Sequence, residues 1–147
     1  MKKNIIGRRE KISLPEWGLH MISAKVDTGA YTNSIHCEWL EEKLIDGQET
    51  LEFILLSPGH RLYTGKVMST ENYTLKKVKS SIGKSQLRYK VSTLVKIFDE
   101  TLMVEFTLTD RSKMRNSILL GRKMLIGRFV VDVEETNLSK KSKVPKP

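Results

Sequence analysis

The segment Ala24-Lys25-Val26-Asp27-Thr28-Gly29-Ala30-Tyr31-Thr32-Asn33-Ser34-Ile35 carries the decision about fold. An apolar strand delivers an aspartate into a turn, and a threonine, a glycine and a small residue follow at once. Asp27 at a strand end can send its carboxylate out of the core into a cleft. Gly29 lets the backbone approach another backbone closely. Thr28 supplies a hydroxyl that can bond across such a contact. Taken alone the triplet is a weak signal, because an Asp-Thr-Gly turn arises by chance in on the order of one chain in fifty of this size.

Working outward, Ile118-Leu119-Leu120-Gly121-Arg122-Lys123-Met124-Leu125-Ile126-Gly127 reads as a short buried strand that ends in glycine and passes into a helical turn starting at Arg122. Between and around these segments the chain breaks into short runs rich in β-branched and aromatic residues. They cover residues 21–26, 51–56, 61–68, 73–79, 87–97, 102–108 and 129–133. Residues 38–44 are expected to be helical. The fold class is all-β, a small closed barrel or sandwich. Ser80-Ser81-Ile82-Gly83-Lys84-Ser85-Gln86, flanked by strands, reads as the tip of a hairpin.

Composition limits the function classes. A chain of 147 residues fits one domain with one core. Its apolar runs are too short for a membrane span, and the basic start lacks an apolar signal region. The single cysteine, Cys37, cannot form an internal disulfide, so a reducing, cytoplasmic home is the default. The net charge of +9 is unevenly spread: residues 76–98 hold seven basic residues and no acidic one, while residues 12–75 hold nine acidic and four basic. Such charge usually marks a solvated face. The tail 139–147, basic and without apolar periodicity, is expected to be loose, leaving 1–138 as the domain.

Common catalytic signatures are missing. No phosphate-binding glycine loop is present, no H-E-x-x-H occurs, and His20, His36 and His60 are scattered. His36 and Cys37 are sequence neighbours that point to opposite faces of a strand, so they read as structural rather than as a nucleophile pair. No spacing of His, Cys and carboxylates suits zinc, and neither a metal nor a cofactor is expected.

Asp-Thr-Gly-Ala followed much later by two large apolar residues and Gly-Arg resembles the retropepsin-type aspartic proteases. The match is closer still to a bacterial retropepsin-like family also called "ATP-dependent zinc proteases". Its members open like Ile6-Gly7-Arg8-Arg9-Glu10 and Leu14-Pro15-Glu16. They continue with motifs matched by Lys25 to Ala30, Ser34-Ile35-His36, Thr107 to Arg111, Met114 and Leu119 to Arg122. The resemblance spans about residues 5–135. Where the family commonly has a proline before the Leu-Leu-Gly strand, this chain has Ser117.

The resemblance implies an acid-protease barrel in which Asp27, Thr28 and Gly29 are catalytic and Leu119, Leu120, Gly121 and Arg122 support their loop. Ala30 and the flap residues Ile82, Gly83, Lys84 and Arg88 would bind substrate, and residues 38–68 would be an insertion relative to retroviral enzymes. An aspartic protease needs two carboxylates sharing a proton. This chain has one Asp-Thr-Gly, so the second should come from a symmetry mate in a homodimer. Asp110-Arg111 is expected to form a buried ion pair supporting the loop, slightly ahead of a role in binding substrate. Relatives found beside ATP-grasp ligases that attach glutamates, together with the basic 76–98 block, suggest an acidic peptide or protein tail as substrate. Two other readings remain: a catalytically silent β-domain that binds an acidic partner, and a nucleic-acid-binding barrel. Tyr89 and Phe98 are too few aromatics to favour nucleic acid, and no membrane partner is expected.

Overall fold

The computed structural model of the chain describes residues 3–79 and 83–141. Its strands are β1 (Asn4–Leu14), β2 (Leu19–Val26), β3 (Asn33–Ile45), β4 (Gln48–Leu55), β5 (Met68–Thr70), β6 (Tyr73–Lys79), β7 (Ser85–Ile97), β8 (Glu100–Thr109), β9 (Ile118–Leu120) and β10 (Phe129–Thr136). Two short helices, α1 (Arg122–Leu125) and α2 (Leu138–Lys141), and a 3-10 turn at Pro15–Trp17 complete it. The neighbour order β1-β2-β9-β3-β8-β7 closes on itself where Ser13 of β1 meets Lys96 of β7, giving a six-strand barrel. The all-β closed barrel and the helical turn at Arg122 are as expected.

Alternation explains the closure. Along β7, Val91, Thr93, Val95 and Ile97 are buried and the residues between them are not. That period of two turns one face into the barrel. Ile6, Ile12, Leu14, Ile35, Phe106, Ile118 and Leu120 come from four other strands into the same core. Trp17 seals one side, its ring 5.8 Å from both Phe53 and Phe106.

Three expectations differ from the structure. Residues 38–44 are strand, not helix: β3 leaves the barrel after Cys37 and runs out as an arm paired with β4 down to Ile45 opposite Gln48. The two-residue turn Asp46-Gly47 has positive φ at both positions (51° and 79°), the geometry that suits a tight hairpin and favours Asp-Gly. Trp39, Leu44 and Ile45 are exposed on this arm and Leu40 alone of its apolar residues packs against the core, so the apolar spacing that suggests a helix buries little. Residues 61–67 form no strand, and only Met68–Thr70 pair with β4. Local bonds claim that segment instead, with Tyr63 N–H donating to His60 O (3.0 Å) and Leu62 N–H to His60 Nδ1 (2.9 Å). Residues 139–141, at the head of the expected loose tail 139–147, lie in α2. Ser139 in α2 is buried, with its hydroxyl donating to Lys11 O (2.8 Å) and its N–H to Glu10 Oε1 (2.9 Å). Residues 142–147 lie outside the described residues.

Candidate active site

The loop 27–32 connects β2 to β3, yet these strands are not neighbours. β9 lies between them, parallel to β2 (Val26 opposite Leu120) and antiparallel to β3 (Ser34 opposite Leu119). The loop therefore crosses over the end of β9, and the residues after β9 meet its underside. Asp27 N–H donates to Leu120 O (2.9 Å). Arg122 N–H donates to Ala30 O and Lys123 N–H to Tyr31 O, both at 2.9 Å. Gly121 has no room for a side chain: a Cβ there would come within 2.6 Å of Thr32 O and 2.7 Å of Tyr31 O. The Arg122 side chain binds the loop as well, donating from Nη1 to Thr28 O (2.8 Å) with its guanidinium 5.7 Å above the Tyr31 ring.

Asp27 is half-buried and Thr28 and Gly29 are exposed. Asp27 Oδ1 accepts the N–H of Gly29 at 2.9 Å, which fixes the carboxylate's rotation. Its other oxygen has no hydrogen bond among the described residues. The carboxylate is thus oriented by its own loop and keeps one oxygen for a ligand.

Behind β3 lies a second cluster. His36 is buried; Arg111 N–H donates to its Nδ1 (2.8 Å), so Nε2 carries the proton and donates to Glu38 Oε2 (2.9 Å). The expected Asp110–Arg111 ion pair is not there. The Asp110 side chain is 81% exposed, and Ser112, through its hydroxyl and N–H, holds the carboxyl below its ordinary value. Adjacent side chains on an extended backbone diverge, and these two do so. Arg111 instead is half-buried, donates from Nε to Asn116 O (2.9 Å), and lies close enough to Asp27 for the two charges to interact. Burial pulls its guanidinium below the ordinary value and Asp27 opposes that pull. The Asp-Arg dipeptide is conspicuous in the sequence, but which acid the arginine serves is not.

The hairpin expected to act as the flap is β6–β7, with Lys76 directly opposite Arg88 and Thr74 opposite Lys90. Gly83 sits at the turn with φ +82°, and Lys84 is exposed. Arg88 is half-buried with its Nε lacking a partner. Ile82 lies outside the described residues. No hydrogen bond or ion pair joins this hairpin to residues 27–30 or 119–122 among the described residues. At the root of the hairpin, a hydrogen bond to Glu42 and burial push the Tyr89 hydroxyl up to about 12. A depression of about 190 Å³ beside the loop, lined in part by Thr32, Asn33, Glu105 and Lys123, does not include Asp27.

Cys37 has no reactive character. Burial pushes its thiol up to about 11, and its Sγ donates to Trp39 O at 3.1 Å. Among the described residues no three His, Cys, Asp or Glu side chains gather as a metal site. No described helix is long and apolar enough to cross a membrane.

Residues 5–142 match the sequence model of the RimB-like family, described as the retropepsin-like aspartic endopeptidase RimB. A Desulfotalea psychrophila protein named probable alpha-L-glutamate ligase is 34% identical over 134 residues, covering 88% of this chain and 28% of that protein. A Parasynechococcus marenigrum protein of the same name is 33% identical over 137 residues, covering 90% and 28%. The chain thus spans under a third of the length of these curated relatives. A Legionella pneumophila protein of unknown function, known from a crystal structure, superposes with a TM-score of 0.74 at 28% identity, covering 94% of this chain and 99% of that one.

Proposed function

The chain belongs to the RimB-like family of retropepsin-like aspartic endopeptidases, and from that premise we propose that it hydrolyses peptide bonds through two Asp27 carboxylates brought together at the axis of a homodimer. The observation that carries this reading is the Asp27 carboxylate itself. It stands half-buried at a strand end, fixed through Oδ1 by Gly29 and with no hydrogen bond at its other oxygen among the described residues. One such carboxylate cannot be acid and base at once. Two held close together keep a single proton between them. The protonated one polarises the scissile carbonyl while the ionised one takes a proton from water, and the roles reverse as the amine leaves. Thr28 would lock the paired loops and Gly29 and Ala30 would meet the substrate backbone, with Ile82, Gly83, Lys84 and Arg88 covering it from the flap. Leu119 to Arg122 would keep the loop rigid.

The substrate in this reading is an acidic peptide or protein tail, glutamate-rich in the first instance. Two observations support it: the like-charged stripe of Lys76, Arg88 and Lys90 on the hairpin, and relatives whose name, probable alpha-L-glutamate ligase, belongs to proteins more than three times as long. A functional link to an ATP-grasp ligase that adds glutamates follows, and we place the protein in the cytoplasm with it. The test is incubation of wild-type protein and Asp27→Asn with an oligoglutamate peptide, products read by mass spectrometry. Wild type should cleave and the variant should not. Cleavage by Asp27→Asn at the wild-type rate would remove Asp27 from the chemistry, and binding of the peptide without cleavage by wild type would leave a non-catalytic domain that binds an acidic partner as the better reading.

A further inference from the structure

Arg111 has a position that neither its expected partnership nor the loop geometry accounts for. Its main chain is pinned by the Arg111 N–H bond to His36 Nδ1, and its Nε is spent on Asn116 O. Asn116 is followed by Ser117, whose carbonyl accepts His36 N–H (2.8 Å), and then by β9, on which Asp27 is hung. The guanidinium is therefore built into the scaffold that holds the candidate catalytic carboxylate. Its two Nη groups have no acceptor among the described residues. The ion pairs there are His36–Glu38, His36–Asp110, Lys43 with Glu41 and Glu52, and Lys123–Glu105, and none joins Arg111 to Asp27. Asp27 is near enough to be felt electrostatically and too far to be a direct partner.

A half-buried guanidinium with a free planar edge has a known chemical complement. Holding a charge partly out of water is costly unless it is paired. A carboxylate satisfies the free edge with two parallel N–H···O bonds. Arg122, the other arginine at the loop, already donates to Thr28 O and lies over Tyr31. We propose that Arg111 is the specificity-determining residue of the site, binding the carboxylate of an acidic substrate side chain beside the scissile bond. This rests on the peptidase reading above and adds to it a named subsite, distinct from the basic hairpin. The hairpin charges are exposed or on a separate element, so they steer. Arg111 is fixed, so it discriminates. An amide in place of the carboxylate loses the charge and turns an N–H donor toward the fork.

The experiment compares two peptides that differ only by Glu→Gln at the residues flanking the cleaved bond. Hydrolysis is measured for wild type, Arg111→Met and Arg111→Lys, and binding of both peptides is measured on Asp27→Asn and Asp27→Asn/Arg111→Met. Near-ultraviolet circular dichroism checks the fold of each variant. Wild type should prefer the glutamate peptide by about tenfold or more in kcat/KM, and Arg111→Met should shrink that ratio to about twofold or less. Arg111→Lys, which keeps the charge without the fork, should fall between. The binding ratio should move in parallel. An active Arg111→Met or Arg111→Lys protein with the wild-type ratio would overturn the proposal. Wild-type protein that cleaves neither peptide, yet whose binding of the glutamate one depends on Arg111, would overturn the peptidase reading and leave the carboxylate site standing.

Discussion

The N–H of Gly121 donates to Asn33 Oδ1 at 2.8 Å, a buried bond between residues 88 apart that ties the end of β9 to the start of β3. Asn33 is itself held, donating from Nδ2 to Glu105 O (3.1 Å). Through these two bonds the Asp27 loop is registered against β8 as well as β9.

Breaking this tie should disturb the loop more than the barrel. In Asn33→Leu, Gly121 N–H and Glu105 O lose their partners, and each buried polar group left unpaired costs about 1–3 kcal/mol. Gly121→Ala should be worse for the site, because the added methyl meets backbone carbonyls of Tyr31 and Thr32 that cannot step aside. Amide exchange read by mass spectrometry should show faster exchange at 27–32 in both variants with the β7–β8 amides unchanged. Uniform loss of protection in both would mean that the tie supports the whole fold.

Glu10 provides the clearest stability test. It is fully buried, and its carboxylate accepts N–H bonds from Gly7 (2.7 Å), Leu138 (3.2 Å) and Ser139 (2.9 Å). It joins the first strand to the last helix. Glu10→Ala strands three donors, and the loss should be about 3–5 kcal/mol, a large part of a small domain's total. Glu10→Gln keeps one acceptor oxygen and should lose less. Urea unfolding followed by tryptophan fluorescence measures both, and a Glu10→Ala loss under about 1 kcal/mol would contradict this account.

The Asp27–Ala30 and Leu119–Arg122 segments were legible because their chemistry is local: an acid at a strand end, and a glycine where only a bare backbone fits. The strands 87–97 and 102–108 were legible because they bury one face, and 73–79, exposed from Thr74 to Lys77, through its β-branched and aromatic residues. The β3–β4 arm was not, since between Glu38 and Ile45 only Leu40 packs toward the core and no alternation is imposed there. Asp46-Gly47 is the signal that marks it. The nearness of Arg111 to Asp27 was hidden for a different reason. Sequence adjacency suggested Asp110, but only the fold brings Asp27, 84 positions earlier in the chain, to the arginine.

Cys37 should behave as a buried apolar residue. With its thiol pushed up to about 11, on the order of one molecule in a thousand is thiolate at pH 8. Its alkylation by iodoacetamide should rise about tenfold per pH unit between 8 and 10, and unfolding in urea should accelerate it about 100-fold at fixed pH. Cys37→Ala should keep peptide hydrolysis. Loss of hydrolysis with the fold intact would revive His36–Cys37 as a nucleophile pair.

The shared site makes a prediction that a site within one chain cannot. If catalysis needs an Asp27 from each of two copies, an Asp27→Asn chain is not merely inactive but inhibitory, because each wild-type chain it pairs with loses its second carboxylate. With random exchange at a ninefold excess of Asp27→Asn, about one wild-type chain in ten finds a wild-type partner, so activity per wild-type chain should fall to about one-tenth. Dilution below the dimer dissociation constant should likewise lower specific activity, with sedimentation reporting the species present. Activity proportional to wild-type chain alone, indifferent to the excess of Asp27→Asn under conditions where labelled chains exchange, would rule out a shared pair. The second proton-transfer group would then have to be sought within one chain, with Arg111 in its neighbourhood.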